Sequence, residues 1–202
     1  LRHSQVVYCE PRKNMELFVT PNDPYLNSSG SWGQSYPDLW GLKRIQAEEA
    51  WDVTAGSPDV VVAVIDTGID PNHADLFPNL WRNPREIPGN KRDDDGNGYT
   101  DDTWGWDFVS FDDGVQDADP SDGQGHGTHV AGTIAAVGGN GQGIVGVAWN
   151  CRVMALKGLS DEGYGASDDL AQAIVYAADN GARVINMSWG GSFRSRAIED
   201  AL

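Results

Sequence analysis

"VVVAVIDTGID", residues 60–70, is the stretch on which the fold turns. From Val60 to Ile65 the side chains are apolar and mostly β-branched, and the run ends at Asp66 and a Thr-Gly turn. A short continuous run of this kind reads as a strand buried in a parallel sheet. Working outward, "CRVMAL" (151–156) and "ARVINMSWGG" (182–191) read as further strands, the second running into a glycine turn. "WGWDF" (104–108) is an aromatic interlude in a stretch rich in Gly, Asp, Asn and Pro, and it reads as another.

Helical patterns lie between and after these strands. "HGTHVAGTIAAV" begins at His126, and its small residues permit close packing. In "SDDLAQAIVYAADNG" (167–181), Ser167 can cap, Leu170, Ile174 and Ala177 share a face, and Gly181 closes the helix. "RSRAIEDAL" opens a last helix. Strands alternating with helices predict an α/β fold: a doubly wound, mostly parallel sheet with helices on both faces, incomplete at the C-terminus. In such sheets function collects at the carboxyl ends of strands, where Asp66 and residues 188–191 fall.

A chain of 202 residues suits one sizeable domain. Lys and Arg total 14 against 30 Asp and Glu, a formal charge of -16. That surface repels nucleic acid and anionic lipid and suits a protein that meets cations. No apolar run approaches the ~20 residues of a membrane span, and residues 1–20 lack the pattern of a signal peptide. Cys9 and Cys151 carry no disulfide signature, and Cys151, leading into a strand, is expected to be a small buried hydrophobe.

Chemistry concentrates at "QGHGTHVAGTIAA" (124–136). His126 falls at the first turn of a helix, whose positive end disfavours imidazolium and favours the neutral ring a general base requires. A carboxylate on its other nitrogen would fix the tautomer, and Asp66 at a strand end is the obvious supplier. Glycines at 125 and 127 leave room for a substrate, and His129 is expected to point into the protein. Two other readings compete. An Asp after a strand often caps the next helix, and HxxH pairs can bind zinc, although "HGTH" lacks the glutamate of HExxH.

"VIDTGID", "GHGTHVAGT" and "INMSWGG", in that order, resemble the first two-thirds of the subtilisin-like serine proteases, the subtilase family, from about Thr20 onward. The resemblance is to the thermostable calcium-binding members. It implies a catalytic order Asp, His, Ser, with Asp66 as the orienting carboxylate and His126 as the general base. The family's Gly-Thr-Ser-Met nucleophile motif is not found, and Ser188 in "SWGG" matches a substrate-lining segment instead. The chain is therefore expected to be a fragment carrying Asp and His without Ser, inactive alone. Gly163, Tyr164 and Gly165, with Ser188, Trp189 and Gly190, resemble the two walls between which an extended peptide pairs as an added strand. Trp189 stands where smaller aliphatics are common, so a narrowed pocket is expected.

Cation sites are the second theme. "DDDGNGYTDD" (93–102) sets Asp93, Asp95 and Asn97 at alternating positions, then Gly98 for a turn and a Tyr99 carbonyl. This follows the first half of a calcium loop. Position twelve is Trp104 rather than Glu, leaving Asp101 or Asp102 to close the site, and hard oxygen donors favour calcium over zinc. The family resemblance implies a second structural Ca2+ site. Its ligands would be the side chains of Asp23, Asp75 and Asn140 and the carbonyls of Val137, Gln142 and Ile144. Asp107 with Asp112, Asp113, Asp117 and Asp119 forms a third acidic cluster.

By the same resemblance, "VVYCEP" (6–11) is similar to the last strand of the inhibitory propeptide, with the maturation cut near Phe18–Val19. Residues 1–18 would be the propeptide tail, an intramolecular inhibitor, and 19–202 the N-terminal part of the catalytic domain. The expectation is a secreted, calcium-stabilised serine endopeptidase acting on polypeptides. The alternative is a non-catalytic calcium-dependent binding module or pseudoprotease that keeps the cleft without the serine.

Overall fold

The computed structural model describes residues 20–111 and 115–202. The expected propeptide tail, Cys9, the maturation point near Phe18–Val19, and Asp112 and Asp113 lie outside the described residues. The strands among them are β1 (Val61–Asp66), β2 (Gly105–Asp107), β3 (Arg152–Lys157) and β4 (Val184–Met187). The α-helices are α1 (Trp40–Arg44), α2 (Ala47–Trp51), α3 (His126–Ala135), α4 (Ser167–Asp179) and α5 (Arg196–Ala201). The strands form one parallel sheet in the order β2-β3-β1-β4, so the apolar run at 60–65 becomes an inner strand. Its register sets Asp66 opposite Lys157 and Ile65 opposite Met187, which gathers strand ends along one edge.

Alternation along the strands builds two apolar layers. Ala63, Ile65, Met154 and Leu156 pack with Leu170, Ala173, Ile174 and Ala177 of α4. Val64, Val153 and Ala155 turn the other way and pack with Ala131 and Ala135 of α3. Helices thus cover both faces. A smaller cluster of Leu26, Leu42, Ala47 and Val145 seats the segment before β1. Cys151 is buried and unbridged.

β2 pairs at the sheet edge with very close backbone contact. Gly105 holds φ +145°, and a Cβ there would collide with the Ala155 carbonyl. Capping differs from expectation in one place. Ser167 is the first residue of α4, Ala166 is its N-cap, and no side chain caps it. The closing turn is as read: Gly181 holds φ +83°, and Ala182 N donates to Ala177 O at 2.9 Å. That six-to-one bond is the Schellman pattern. Ser195 caps α5, accepting from Ile198 N.

Candidate active site

Asp66 is the last residue of β1 and His126 the first of α3, and the fold sets them against one another. Asp66 Oδ1 lies 2.7 Å from His126 Nδ1. The Asp66 side chain is fully buried, whereas the ring is 48% exposed. Thr67 N donates to the same Oδ1 at 2.8 Å, which fixes the carboxylate's orientation. Asp66 Oδ2 is buried with no hydrogen bond among the described residues. Against an ionised carboxylate Nδ1 is the donor, and in a neutral ring Nε2 then carries the lone pair. The approach needs glycine at 127, where a Cβ would collide with the Gly68 carbonyl.

His129 departs from expectation. It is exposed rather than inward-pointing, one turn along α3, and borders a groove with Trp32 and Trp40. A helix turn is about 100° per residue, so position i+3 shares the exposed side of His126 rather than the Ala131 and Ala135 side.

The two segments expected to be substrate walls lie together, with one exception. Gly163, Tyr164, Gly165, Trp189 and Gly190 border a cavity of about 450 Å³. Ser188 does not border it; its hydroxyl accepts from Asn186 Nδ2 at 2.9 Å. Tyr164 is exposed, and its carbonyl accepts from Ser160 N, closing the turn it sits on. Trp189 is anchored: its Nε1 donates to Ile65 O at 2.8 Å, just past the β1–β4 ladder. Sequence alone gave no signal for Phe193, Arg194 and Glu199, which also border this cavity.

The acidic loop folds around Asp93. Its carboxylate accepts from the backbone N–H groups of Gly96, Asn97 and Gly98. The Gly98 bond is the largest influence on its carboxyl; burial opposes, and the net effect holds it below the usual carboxylate range. Asp93 and Asp95 come together with Glu86, all three offering oxygens within 4.8 Å of one another. Glu86 is buried, accepts from Asp94 N and Asp95 N through Oε1, and leaves Oε2 unbonded among the described residues. Neither residue expected to close the loop joins this group. Asp101, at φ +58°, accepts from Gly89 N and Lys91 N. Asp102 is buried and accepts from Asn83, Asn97 and Tyr176, and burial pushes its carboxyl up. Asn97 Oδ1 accepts from Tyr99 N, while the Tyr99 ring packs edge-on to Trp106, Phe108 and Tyr176. Glu86 was missed because the loop-forming spacing starts seven positions after it.

The second candidate set converges from three distant segments. Asp23 and Asp75 are both buried. Asp75 accepts from Asn140 Nδ2 at 2.7 Å and Ile144 N at 2.9 Å, and its carbonyl accepts from Val137 N. Asn140 Oδ1 accepts from Gln142 N. Asp23 Oδ2 accepts from Gly139 N at 2.8 Å, while Oδ1 is buried without a hydrogen bond among the described residues. Two buried carboxylates, one of them with an unbonded oxygen, held by carbonyl-bearing loops, are a donor set of the hard type calcium takes. The third cluster is more local: Asp107 and Asp117 pair through their backbones, and Asp107, Asp117 and Asp119 side chains each accept from a nearby backbone N–H.

The fold is thus a parallel α/β sheet with a buried aspartate against an exposed histidine at its carboxyl edge. Comparison with known proteins gives the family. The subtilase family profile (peptidase S8) matches residues 57–201, and the chain belongs to that family. It is 39% identical over 197 residues to the thermophilic serine proteinase of Bacillus sp. (strain AK1), covering 98% of this chain and 40% of that protein. It is 36% identical over 183 residues to thermitase of Thermoactinomyces vulgaris, covering 91% and 52%. Among solved structures, a protease from Pseudoalteromonas arctica superposes with TM-score 0.65 at 32% identity, over 91% of this chain and 55% of the other. The chain thus spans about half, or less, of the length of these relatives.

Proposed function

We propose that this chain carries the aspartate and histidine of a serine endopeptidase's Asp-His-Ser triad. The observation that carries the reading is the 2.7 Å contact between buried Asp66 and half-exposed His126. With Nδ1–H bonded to Asp66, His126 Nε2 takes the proton of a serine hydroxyl as its oxygen bonds to the substrate carbonyl carbon. It then returns that proton to the departing amine as the peptide bond breaks. Asp66 stays ionised, orienting the ring and stabilising the imidazolium between the two transfers.

The nucleophile is assigned to sequence outside these 202 residues, a reading supported by coverage of 40% and 52% of the two relatives. The fragment by itself would then be inactive. Polypeptide substrates would lie extended between the segments at 163–165 and 188–190, and residues 1–18 would be the propeptide tail, an intramolecular inhibitor.

Calcium fits two donor sets. Glu86, Asp93 and Asp95 would hold one ion, with Glu86 supplying the closing carboxylate that Asp101 and Asp102 do not; its unbonded Oε2 supports this. Asp23, Asp75 and Asn140, with the Val137, Gln142 and Ile144 carbonyls, would hold the other. The ions would be structural, cross-linking loops. Loop-built sites of this type suit the millimolar calcium outside cells, in keeping with secretion.

The competing reading is a calcium-dependent binding module with the cleft but no serine. Fluorophosphonate labelling of the full-length product decides between them. Labelling that disappears on His126→Ala is the expected result, and an unlabelled full-length protein would favour the module.

A further inference from the structure

We propose that Asp122 is a positioning residue for the Asp66–His126 pair, locking the start of α3 onto the turn after β1 and setting a negative charge at that helix start. This rests on the peptidase reading above. Asp122 Oδ1 accepts from Thr67 Oγ1 at 2.9 Å, Gln124 N at 2.9 Å and Gly125 N at 2.8 Å. Its Oδ2 accepts from Thr128 N at 2.9 Å and Thr128 Oγ1 at 2.6 Å.

Each partner leads directly to the pair. Thr67 Oγ1 accepts from Gly127 N at 2.9 Å, the residue next to His126. Thr67 N donates to the Asp66 oxygen that holds the ring. Thr128 Oγ1 accepts from Asp70 N at 3.0 Å, a second tie between the helix start and the same turn. One carboxylate therefore collects five donors from both sides of the pair. Only a carboxylate offers enough acceptor lone pairs, because an amide would turn an N–H donor toward one set of N–H groups.

The charge matters as well as the geometry. The free N–H groups at a helix start carry partial positive charge and oppose a cationic ring there. Asp122 bonds one of those groups, Thr128 N, together with Gln124 N and Gly125 N just before the helix, and its charge offsets that field. Burial raises its carboxyl, but the bonds from Gly125, Thr128 and Gln124 outweigh burial and hold it below the usual range, so it is charged at neutral pH. The other charged or titratable groups in this region are Asp66 on β1, Asp70 in the turn, Lys157 on β3, Asp161 after it, Asp119 in the preceding loop and His129 on α3. Lys157 Nζ donates to Thr67 O at 2.8 Å and pairs with Asp161 at 2.6 Å, so its charge is locally matched.

The test is the pH profile of kcat/KM for the full-length protein on a fluorogenic peptide. In Asp122→Asn the acid limb should move to lower pH by on the order of half a unit, because the charge favouring protonated His126 is gone. The optimum kcat/KM should fall about tenfold, with KM changed less than about twofold, as expected for lost alignment. Thr67→Val removes the bridging hydroxyl but keeps the charge, so it should lower kcat/KM with the acid limb in place. If Asp122→Asn does not fold, Asp122→Ser carries the same pH measurement. A charge-free folded variant with an unmoved acid limb, or a loss carried wholly by KM, overturns the proposal. Wild-type protein that neither hydrolyses the peptide nor takes the fluorophosphonate instead overturns the peptidase reading beneath it.

Discussion

Trp189 illustrates how one side chain can serve the core and the cleft together. Its indole N–H is fixed to the Ile65 carbonyl at the end of β1, and its ring packs partly on the core under α4 while bordering the cavity with Tyr164. A large ring held in one orientation should bar bulky side chains from the inner end of that cavity. Trp189→Leu in the full-length protein is therefore expected to widen acceptance toward larger aromatic residues at that subsite, by roughly tenfold in relative kcat/KM, the scale of a few methylenes' worth of pocket. Peptide-library profiling checks this, and an unchanged preference would rule out Trp189 as a wall. From sequence the residue was legible as a pocket element, whereas its tether to β1 was not, since the acceptor lies 124 positions away.

At the scale of elements, apolar periodicity carried most of the information. The continuous run of β1 was readable because burial on both faces leaves every position apolar, and the Leu170, Ile174 and Ala177 face of α4 because one-sided burial imposes a period. Helix ends were less so. Ser167 has the right residue type for a cap, yet Ala166 takes the cap geometry. Ser167→Ala should accordingly change stability by no more than about 0.5 kcal/mol, below the ~1 kcal/mol of a true cap. Gly105→Ala makes the opposite case. The added methyl meets backbone of β3 at a positive φ, so it is expected to destabilise by at least about 3 kcal/mol. Urea unfolding of both variants compares them directly, and equal midpoints would contradict the assignment of the cap and of the β2–β3 approach.

For the whole molecule, net charge of -16 has a structural destination. Part of the acid is buried, at Asp23, Asp75 and Glu86, and among the described residues Asp23 and Glu86 each keep a carboxylate oxygen without a hydrogen bond. A cation bound there only in the folded state would stabilise the protein by about 2.7 kcal/mol at a hundredfold excess over Kd. Chelation of the full-length protein should lower its unfolding temperature, with calcium restoring it more fully than magnesium. Glu86→Gln should reduce that calcium response without removing it, since Asp23 and Asp75 remain. An unfolding temperature indifferent to chelator would remove calcium from the account. The loop's 1-3-5 spacing was visible in sequence, but its third carboxylate was not, because Glu86 reaches it by folding back.

What the sequence by itself determined is the set of things that depend on neighbours along the chain: the strand order, the helices from His126 onward though not α1 and α2, the parallel α/β class, the family, and the candidacy of Asp66 and His126. Only the tertiary structure decided which groups meet. It joined Asp66 to His126 across 60 positions, set Glu86 rather than Asp101 or Asp102 beside Asp93 and Asp95, turned His129 outward and drew Asp122 into the pair's support. The physical reason is that periodicity and turn chemistry act over a few residues. Contacts between segments depend instead on sheet register and helix docking, where a single collision such as that at Gly127 or Gly105 sets the distance of approach.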